Sequence, residues 1–327
     1  MTTTRRSFVA TLLGLPFGLN ALASHAQAAK WPTRPVRWIV PFAPGGPGDV
    51  TARIVTQKLA GIWGQAVMVD NKPGANTIIA AMETVRSAPD GYTLFQPMNS
   101  TMTVNPFAMS KVPYDPVSSF SHIGVMTSVP LLVVANDTLP AKDIAGMIAL
   151  AKAKPGTINV GGGNVGQQLA AERFARDAGV KLQYIPYKSG SDVTKALLGG
   201  EIQAGFDGVP AYPTLLKEGR LRALATNSPT RISLLPDVPT LAELGLKRSE
   251  APIWHALVGP AGLPAEIKDK IARDVQTVLA MPDVKDKLGT LGMEPTWKPE
   301  GEFIELIKSE AATMGPIVKD LGIKMDS

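Results

Sequence analysis

The sequence has no cysteine, few aromatic residues and only three histidines. Its 327 residues are 6% aromatic and carry a formal net charge of +5. Without cysteine, a disulfide framework, thiol catalysis and thiolate metal sites are all excluded. The charge is mild, and no basic run with interleaved aromatic residues occurs. We therefore expect no nucleic acid among its partners.

Histidine is too scarce to indicate a catalytic triad or a metal centre. Apart from one histidine in the N-terminal segment, only His122 and His255 remain, and both stand in extended apolar runs. Neither can be placed near a nucleophile, so a Ser-His-Asp triad has no support. No group of His, Asp and Glu has the spacing of metal ligands. We expect two hydrogen-bonded structural histidines, no metal and no cofactor.

Residues 1–28 have the composition of an export signal. A twin-arginine pair, Arg5-Arg6, precedes an apolar stretch over residues 9–22, and residues 26–28 form an A-x-A cleavage site. The arginine pair favours the Tat route, while Sec export stays open. Cleavage near Ala28 would leave 327 − 28 = 299 residues with a net charge of +5 − 2 = +3. That length suits two domains, and we expect a soluble periplasmic protein.

A glycine-rich turn follows the first apolar run of the mature chain. The run over residues 36–42 leads into the turn of residues 43–48, and an amphipathic helical pattern begins there. Such a junction aims free backbone N–H groups and the positive end of a helix dipole at one point. An anion can bind there without a cationic side chain. We expect a carboxylate-sized anion at this turn, with Asp49 and Arg53 paired in the helix.

Other interpretations of this turn remain open. A P-loop is disfavoured, because no Gly-Lys-Ser/Thr follows the glycines. A dinucleotide fingerprint is a near match, since Gly46-Pro47-Gly48 opens a G-x-G-x-x-Thr51 pattern. Asp70 ends the next apolar run, where an acid would bind ribose. An exported NAD(P)-dependent oxidoreductase is therefore one alternative, and a glycine turn that only connects strand to helix is another.

A second glycine-rich turn has the same design. Residues 161–163 close an apolar run, and Asn164 is expected to cap the helix that follows. Two helix N-termini facing each other across a cleft would hold one anion from both sides. Neither 42–49 nor 161–168 contains Lys or Arg. We therefore expect backbone N–H groups to hold a ligand carboxylate, although a plain connector is again the alternative.

Short apolar runs alternate with helical stretches, which predicts an α/β fold with mostly parallel sheets flanked by helices. Two long extended runs, 121–136 and 253–259, are expected to cross between two lobes. This predicts a two-lobed, type II-like periplasmic binding protein that closes about a hinge on its ligand. Residues 29–128 and 252–327 would form lobe 1, and residues 129–251 would form lobe 2.

Motifs spread over the whole mature chain carry a family resemblance. They are PVRWIVPFAPGGPGD at 35–49, DNKPGANTIIAA at 70–81, PDGYTLF at 89–95, NP at 105–106, PYDPVSSF at 113–120, YIPYKSGSDVTKALLGGEIQAGFD at 184–207, GRLRALATNSPTRISLLPDVPTLAELG at 219–245 and GPAGLP at 259–264. In these motifs, and in their order, the sequence resembles the substrate-binding proteins of tripartite tricarboxylate transporters, also called the Bug family. The resemblance implies a periplasmic receptor without catalysis.

The resemblance also implies which residues contact the ligand. They come from the first glycine turn, the end of a following strand, the second glycine turn and the end of a strand in lobe 2. These residues are Phe42, Ala43, Pro44, Gly45, Gly46, Asp49, Asn99, Ser100, Gly161, Gly162, Gly163, Asn164, Gln168 and Asp207. The second turn departs from the family pattern, because Val165, Gly166, Gln167 and Gln168 stand where many members have hydroxyl side chains and a histidine.

The resemblance implies a ligand class and partners as well. The ligand would be a small carboxylate: a di- or tricarboxylate, an aromatic acid or an amino acid. The partners would be the membrane permease subunits of the transporter, with the receptor itself a monomer. A carboxylate sensor that signals to a membrane kinase would use the same binding chemistry and remains an alternative.

Overall fold

The computed structural model describes residues 31–250 and 252–325. The predicted export signal, with Arg5-Arg6 and the cleavage site near Ala28, lies outside these residues. Within the described ranges, no helix is both long and apolar enough to cross a membrane.

Six strands form the first sheet. They are β1 (Val36–Val40), β2 (Val67–Asn71), β3 (Thr93–Phe95), β4 (Phe120–Val129), β10 (Ile253–Pro260) and β11 (Glu294–Pro299). Their order across the sheet is β11-β4-β10-β3-β1-β2. Strands β2, β1 and β3 are parallel, whereas β10, β4 and β11 pair antiparallel with their neighbours.

Five strands form the second sheet. They are β5 (Leu131–Ala135), β6 (Asn159–Gly162), β7 (Gln183–Pro186), β8 (Ala204–Gly208) and β9 (Arg222–Thr226). Their order is β7-β6-β8-β5-β9. Strands β7, β6 and β8 are parallel, and β5 pairs antiparallel with both β8 and β9.

Helices connect the strands and cover both sheets. They are α1 (Pro47–Trp63), α2 (Ile78–Val85), α3 (Asn105–Ala108), α4 (Ile144–Ala153), α5 (Val165–Ala178), α6 (Gly190–Gly199), α7 (Pro213–Lys217), α8 (Ala265–Ala280), α9 (Pro282–Thr290) and α10 (Glu300–Asp320). A π-helical turn over Ser100–Val104 leads directly into α3.

The α/β class is confirmed, but the sheets are mixed rather than mostly parallel. Parallel pairing needs a crossover connection of a dozen or more residues, usually a helix. Helices α1 and α2 provide it in the first sheet, and α5 and α6 provide it in the second. The strands that pass between the sheets have no such helix, and therefore β4, β5 and β10 pair antiparallel.

The chain passes from one sheet to the other and back, which gives the predicted two-lobed arrangement. Strand β4 ends at Val129 in the first sheet, and β5 begins at Leu131 in the second. Pro130 separates them and has no N–H to continue the ladder. The chain returns to the first sheet at β10, as expected from the run over 253–259. The exact lobe boundaries and the hinge motion stay predictions.

Each lobe has its own apolar core. In the first, Ile39 and Phe95 of the sheet belong to one buried cluster with Phe303 of α10. In the second, Phe206 of β8 and Phe174 of α5 pack with ring centroids 5.6 Å apart. Burying such aromatic side chains supplies much of the stability of each lobe. The cores therefore hold the sheets rigid, and the loops at the strand ends can carry function.

Strand β10 carries two aromatic side chains into the first lobe. Trp254 is buried, and its Nε1 donates to Glu310 Oε1 at 3.0 Å. The His255 Nδ1 lies 3.1 Å from Thr127 Oγ1 of β4. Burial lowers the pKa of His255 to about 4. Both residues are thus structural, as is His122, whose Nε2 lies 3.0 Å from the carbonyl oxygen of Pro116.

The pKa of His255 predicts a loss of stability in mild acid. An unfolded histidine binds a proton below about pH 6.5, whereas the folded protein resists protonation of His255 down to about pH 4. Its folded pKa lies below the unfolded value, so stability falls as the pH drops from about 6.5 to about 4. Between pH 7 and pH 5 the loss is about 2 kcal/mol. Urea unfolding of His255→Gln should show this pH dependence reduced by that amount. An unchanged pH dependence would contradict the assignment.

Candidate functional site

A cavity of about 400 Å³ lies between the two lobes. The first lobe contributes five polar residues, Asn76, Thr77, Asn99, Ser100 and Asn105, and five apolar ones, Phe42, Met98, Val104, Met314 and Met325. The second lobe contributes the start of α5, with Asn164, Val165, Gly166, Leu169 and Ala170. Ile253 of β10 completes the wall. This volume is in the range of small-molecule sites.

The described lining carries amides and hydroxyls but no charged side chain. Four asparagines, one threonine and one serine supply its polar groups, and the remaining residues are apolar or glycine. A bound anion would therefore not meet a cation. Its charge would have to be stabilised by neutral donors and by helix termini.

The N-terminus of α5 provides such a terminus. Asn164 caps the helix as predicted, and its Oδ1 accepts from the Gln167 N–H at 3.0 Å. The Gln168 N–H donates to the Asn164 carbonyl at 3.1 Å. The N–H groups at the first helical positions have no intrahelical acceptor. Val165 and Gly166 occupy those positions at the cavity wall, where the helix dipole also favours negative charge.

The opposite wall contains a strained segment before α2. Ala75, Asn76 and Thr77 have positive φ angles of 43°, 46° and 78°. Such conformations in residues other than glycine cost about 1–3 kcal/mol each and persist where the surroundings enforce them. Here Asn105 Nδ2 donates to the Asn76 carbonyl at 2.7 Å, and Thr101 Oγ1 donates to Thr77 Oγ1 at 2.9 Å.

The end of the chain also forms part of this wall. The Asn76 Nδ2 donates to the carbonyl oxygen of Met325 at 2.8 Å. The Met325 N–H in turn donates to the Ala108 carbonyl, also at 2.8 Å. The C-terminal segment is thereby attached to the first lobe, and the side chains of Met314 and Met325 become part of the cavity wall.

Phe42, just before the first glycine turn, lines the cavity, but the turn itself does not. Ala43, Pro44, Gly45 and Gly46 do not line it. The Gly45 N–H donates to Asp49 Oδ2 at 2.9 Å, so this donor is used inside the turn. Helix α1 begins at Pro47, as expected from the sequence, but its N-terminus does not reach the cavity wall.

Asp49 is buried and holds the first turn together. Its Oδ2 also accepts from Arg53 Nε at 2.9 Å, which confirms the predicted pair, and its Oδ1 accepts from Asn71 Nδ2 at 3.0 Å. Burial alone would raise the pKa of Asp49, but these hydrogen bonds and the charge of Arg53 lower it below its usual value. The carboxylate is ionised and internally satisfied, and it does not line the cavity.

The second glycine turn is shaped by packing. A Cβ at Gly162 would lie 2.6 Å from the Tyr184 hydroxyl, and one at Gly163 would lie 2.6 Å from the backbone carbon of Ser189. Gly161 is similarly crowded, because a Cβ there would lie 2.5 Å from Cδ1 of Ile202. None of these glycines lines the cavity. They are required here because neighbouring elements approach closely.

Asp207 and Gln167 form a hydrogen bond with each other next to this turn. The Gln167 Nε2 donates to Asp207 Oδ1 at 2.6 Å, and its Oε1 accepts from the Gly163 N–H. The Tyr212 hydroxyl donates to Asp207 Oδ2 at 2.7 Å. Asp207 therefore belongs to a buried network outside the cavity lining. Gln168 also points elsewhere, because it lines a separate cavity of about 30 Å³.

Four residues predicted from the sequence therefore line the cavity: Phe42, Asn99, Ser100 and Asn164. Asn76, Thr77, Asn105, Met314 and Met325 also line the cavity and were not predicted. Asn76 and Thr77 follow a Pro-Gly pair, which is a turn signal. No local signal could have identified the two methionines, because they reach the cavity only through packing of α10 and the C-terminal segment.

The comparison with protein families supports a specific assignment. Residues 51–323 match the family described as "Tripartite tricarboxylate transporter family receptor". The chain belongs to this family. Its members are solute-binding receptors rather than enzymes, and the dinucleotide interpretation of the first turn is therefore wrong. Asp70, the proposed ribose-binding acid, instead accepts from Arg37 Nε at 2.7 Å.

Individual family members resemble the chain over nearly its full length. Protein BugT of Bordetella pertussis is 32% identical over 317 residues, which cover 96% of this chain and 97% of that protein. The structure "R. palustris Rpa4515 with adipate" has a TM-score of 0.71 at 29% identity and covers 90% of this chain and 99% of its own. The structure of MatC from Rhodopseudomonas palustris "with bound malate" has a TM-score of 0.66 at 28% identity, covering 88% and 100%.

A substitution of Asp49 tests the structural role assigned to this family member's first turn. Asp49→Asn removes the negative charge of the carboxylate, whose oxygens accept hydrogen bonds from Gly45, Arg53 and Asn71. It should lower the free energy of unfolding at pH 7 by about 1–3 kcal/mol. Since the pKa of Asp49 is lowered on folding, its stabilisation is present above about pH 3.9 and is lost as the pH falls through the lower folded value. Urea unfolding at pH 7 and at pH 3.5 measures both effects.

A matched control for this measurement is Asp70→Asn. Asp70 is partly exposed and pairs with Arg37, so its loss should cost less than about 1 kcal/mol. Equal costs for the two variants would show that burial of Asp49 has no special role.

Proposed function

We propose that this protein is an exported receptor that binds a small carboxylate in the cavity between its lobes. The observation that carries this proposal is the N-terminus of α5, which presents Val165 and Gly166 to a cavity without charged side chains in its described lining. Free N–H groups and the helix dipole together form an anion-binding site that needs no cationic side chain.

The ligands of related structures support a carboxylate. The two related structures named above hold adipate and malate, according to their descriptions. Both ligands are small carboxylates of a size that a cavity of about 400 Å³ can enclose. The second lobe would supply the helix terminus, and the first lobe would orient the ligand through Asn76, Asn99 and Ser100.

Family membership and the sequence support a cellular role for this receptor. The export signal expected over residues 1–28 would direct the protein to the periplasm, with the Tat route favoured by Arg5-Arg6. There the loaded receptor would act as a monomer and deliver its ligand to membrane permease subunits of a tripartite tricarboxylate-type transporter. Family membership supports this partnership.

The proposed ligand contacts differ from the sequence-based set. We include Phe42, Asn99, Ser100 and Asn164, and we add Val165 and Gly166. The remaining predicted contacts, in the two glycine turns and at Asp207 of β8, stay predictions. The N–H groups of Gly45 and Gly163 and the carboxylate of Asp207 already form hydrogen bonds with neighbouring residues.

Substitution of Val165 tests the proposed anion-binding site at the start of α5. Val165→Asp places a negative charge at the first position of α5, where it favours the helix but repels a bound carboxylate. We expect carboxylate binding to weaken by about 100-fold or more, since two charge-assisted hydrogen bonds are lost. Isothermal titration calorimetry with the best ligand from a carboxylate screen measures the change.

The matched control is Val165→Asn, which has nearly the same shape as the aspartate but no charge. This variant should keep most of the affinity, and the two variants should unfold at similar temperatures, because both lose the packing of the Val165 side chain. Tight binding by Val165→Asp would contradict the proposal, because the carboxylate would then have to lie elsewhere.

A further inference from the structure

Apolar side chains form much of the cavity wall that a ligand can reach. Five apolar residues of the lining keep part of their surface accessible, whereas four others are buried. The accessible ones are Phe42, Met98, Val165, Ile253 and Met325, and the buried ones are Val104, Leu169, Ala170 and Met314. A ligand in the cavity would cover the accessible ones. This burial favours binding where the ligand surface that faces them is apolar too.

The accessible apolar surface begins beside the proposed carboxylate site at the start of α5. A Cβ built on Gly166 would lie 3.7 Å from Cδ1 of Ile253, so the Ile253 side chain lies next to the first turn of the helix. Met98 forms an isolated antiparallel bridge with His255, which lies two residues after Ile253 in β10. Met98 and Ile253 therefore belong to one stretch of wall along β10. A carboxylate bound at Gly166 brings the body of its ligand within reach of this stretch.

Met325 extends the apolar wall from the segment that follows α10. Its carbonyl oxygen accepts from Asn76 Nδ2, and its N–H donates to the Ala108 carbonyl, each at 2.8 Å. The Met325 side chain also packs against the buried cluster that contains Met314. These contacts hold a partly exposed methionine side chain at the cavity. Met325 is therefore placed to contact the body of a bound ligand.

The accessible polar groups of the lining are fewer than a highly hydroxylated ligand would need. They belong to Asn76, Asn99, Ser100 and Asn164. Each of the three asparagine amides already has one hydrogen bond within the protein. Asn76 Nδ2 donates to the Met325 carbonyl, and the Oδ1 atoms of Asn99 and Asn164 each accept from a backbone N–H. The groups that remain suit carboxylate oxygens, whereas hydroxyls along the ligand body would lie against apolar side chains and lose their hydrogen bonds to water.

We infer that the receptor selects carboxylates with an apolar body over equally charged carboxylates with a hydroxylated body, and that Met325 is a specificity-determining residue for this choice. The carboxylate binds at the start of α5, and the body contacts Met98, Ile253 and Met325. The inference applies equally to a monocarboxylate and to a dicarboxylate. It rests on the proposed function as a carboxylate receptor and adds the class of ligand.

Three pairs of probes with the same carbon skeleton and charge test the inference on the wild-type protein. They are hexanoate and gluconate, adipate and galactarate, and cyclohexanecarboxylate and quinate. Within each pair only the hydroxyl groups on the body differ. Calorimetry should show that, in every pair that binds measurably, the apolar member binds about tenfold or more tightly than its hydroxylated partner. Equal affinities, or tighter binding of the hydroxylated members, would overturn the inference.

Two substitutions of Met325 test its role in the selectivity. Met325→Gln has a similar length and no charge but places an amide at the cavity wall. It should reduce the affinity ratio of the best-binding pair by about threefold or more, because part of the apolar contact is lost. Met325→Leu stays apolar and should keep most of the preference. An unchanged ratio in Met325→Gln would show that Met325 does not determine the choice.

The neighbouring residue provides a control in the same segment. Lys324 is exposed and does not line the cavity. Lys324→Gln should therefore leave the ratio within each pair unchanged, since any effect of the lost charge acts equally on two ligands of equal charge. A ratio that falls equally in Lys324→Gln and Met325→Gln would assign the effect to the segment as a whole and would contradict the role of Met325.

The outcomes separate this inference from the proposed function. If the hydroxylated probes bind best to the wild type and Val165→Asp abolishes that binding, the receptor function stands and the inference is wrong. If none of the six probes binds but another carboxylate does, the inference is again wrong and the receptor function stands. If binding survives in Val165→Asp, the proposed function and the inference are both wrong.

Discussion

The pairing of β10 with β4 and β3 is the constraint on which the rest of the structure depends. Strand β10 lies between them and joins the β11-β4 pair to the parallel strands β3, β1 and β2. The backbone hydrogen bonds of this antiparallel ladder return the chain to the first lobe after the second lobe is complete. The same strand brings Ile253 to the cavity and Trp254 to Glu310 of α10. The sheet, the connection between lobes and the cavity wall thus share one element.

The lobes also share an apolar seam beside the cavity. Leu169 of α5 packs in one buried cluster with Val104 and Ala108 of the first lobe and with Met314 and Ile317 of α10. This contact keeps the start of α5 opposite the Asn76–Thr77 segment. The strained backbone of that segment is held by Asn105, which in turn leaves its own Oδ1 unpaired among the described residues. Contacts within the first lobe thus hold the strained segment in place at the cavity wall.

The buried carboxylates form their hydrogen bonds inside each lobe and do not line the cavity. Asp49 is neutralised by Arg53 and by neutral donors, and Asp207 is surrounded by Gln167, Tyr212 and the backbone N–H of Gly208. Burial raises the pKa of Glu310, which accepts from Trp254 and Thr103. These carboxylates stabilise turns and helix contacts. As a result, the cavity can attract an anion through the dipole of α5 without an opposing fixed charge in its described lining.

The sequence by itself determined what depends on neighbours along the chain. The alternation of apolar runs and helical stretches predicted α/β lobes, Asn164 was recognised as a cap, and Asp49 and Arg53 were paired from their i, i+4 spacing. These signals are local, because capping and helix pairing involve residues within one turn. The parallel character of the sheets was overestimated, because strands that cross between lobes carry no local mark of their direction.

Only the tertiary structure decided which polar groups face the cavity. Asp207 and Gln168 stand at positions typical of ligand contacts, but long-range packing turns Asp207 toward Tyr212 and places Gln168 at another cavity. Met325 meets Asn76 although 249 positions separate the two residues in the chain. Whether a side chain meets a ligand or a neighbour depends on such distant contacts. The sequence around each residue does not encode them, and so the α/β class and the caps were predictable whereas most of the cavity wall was not.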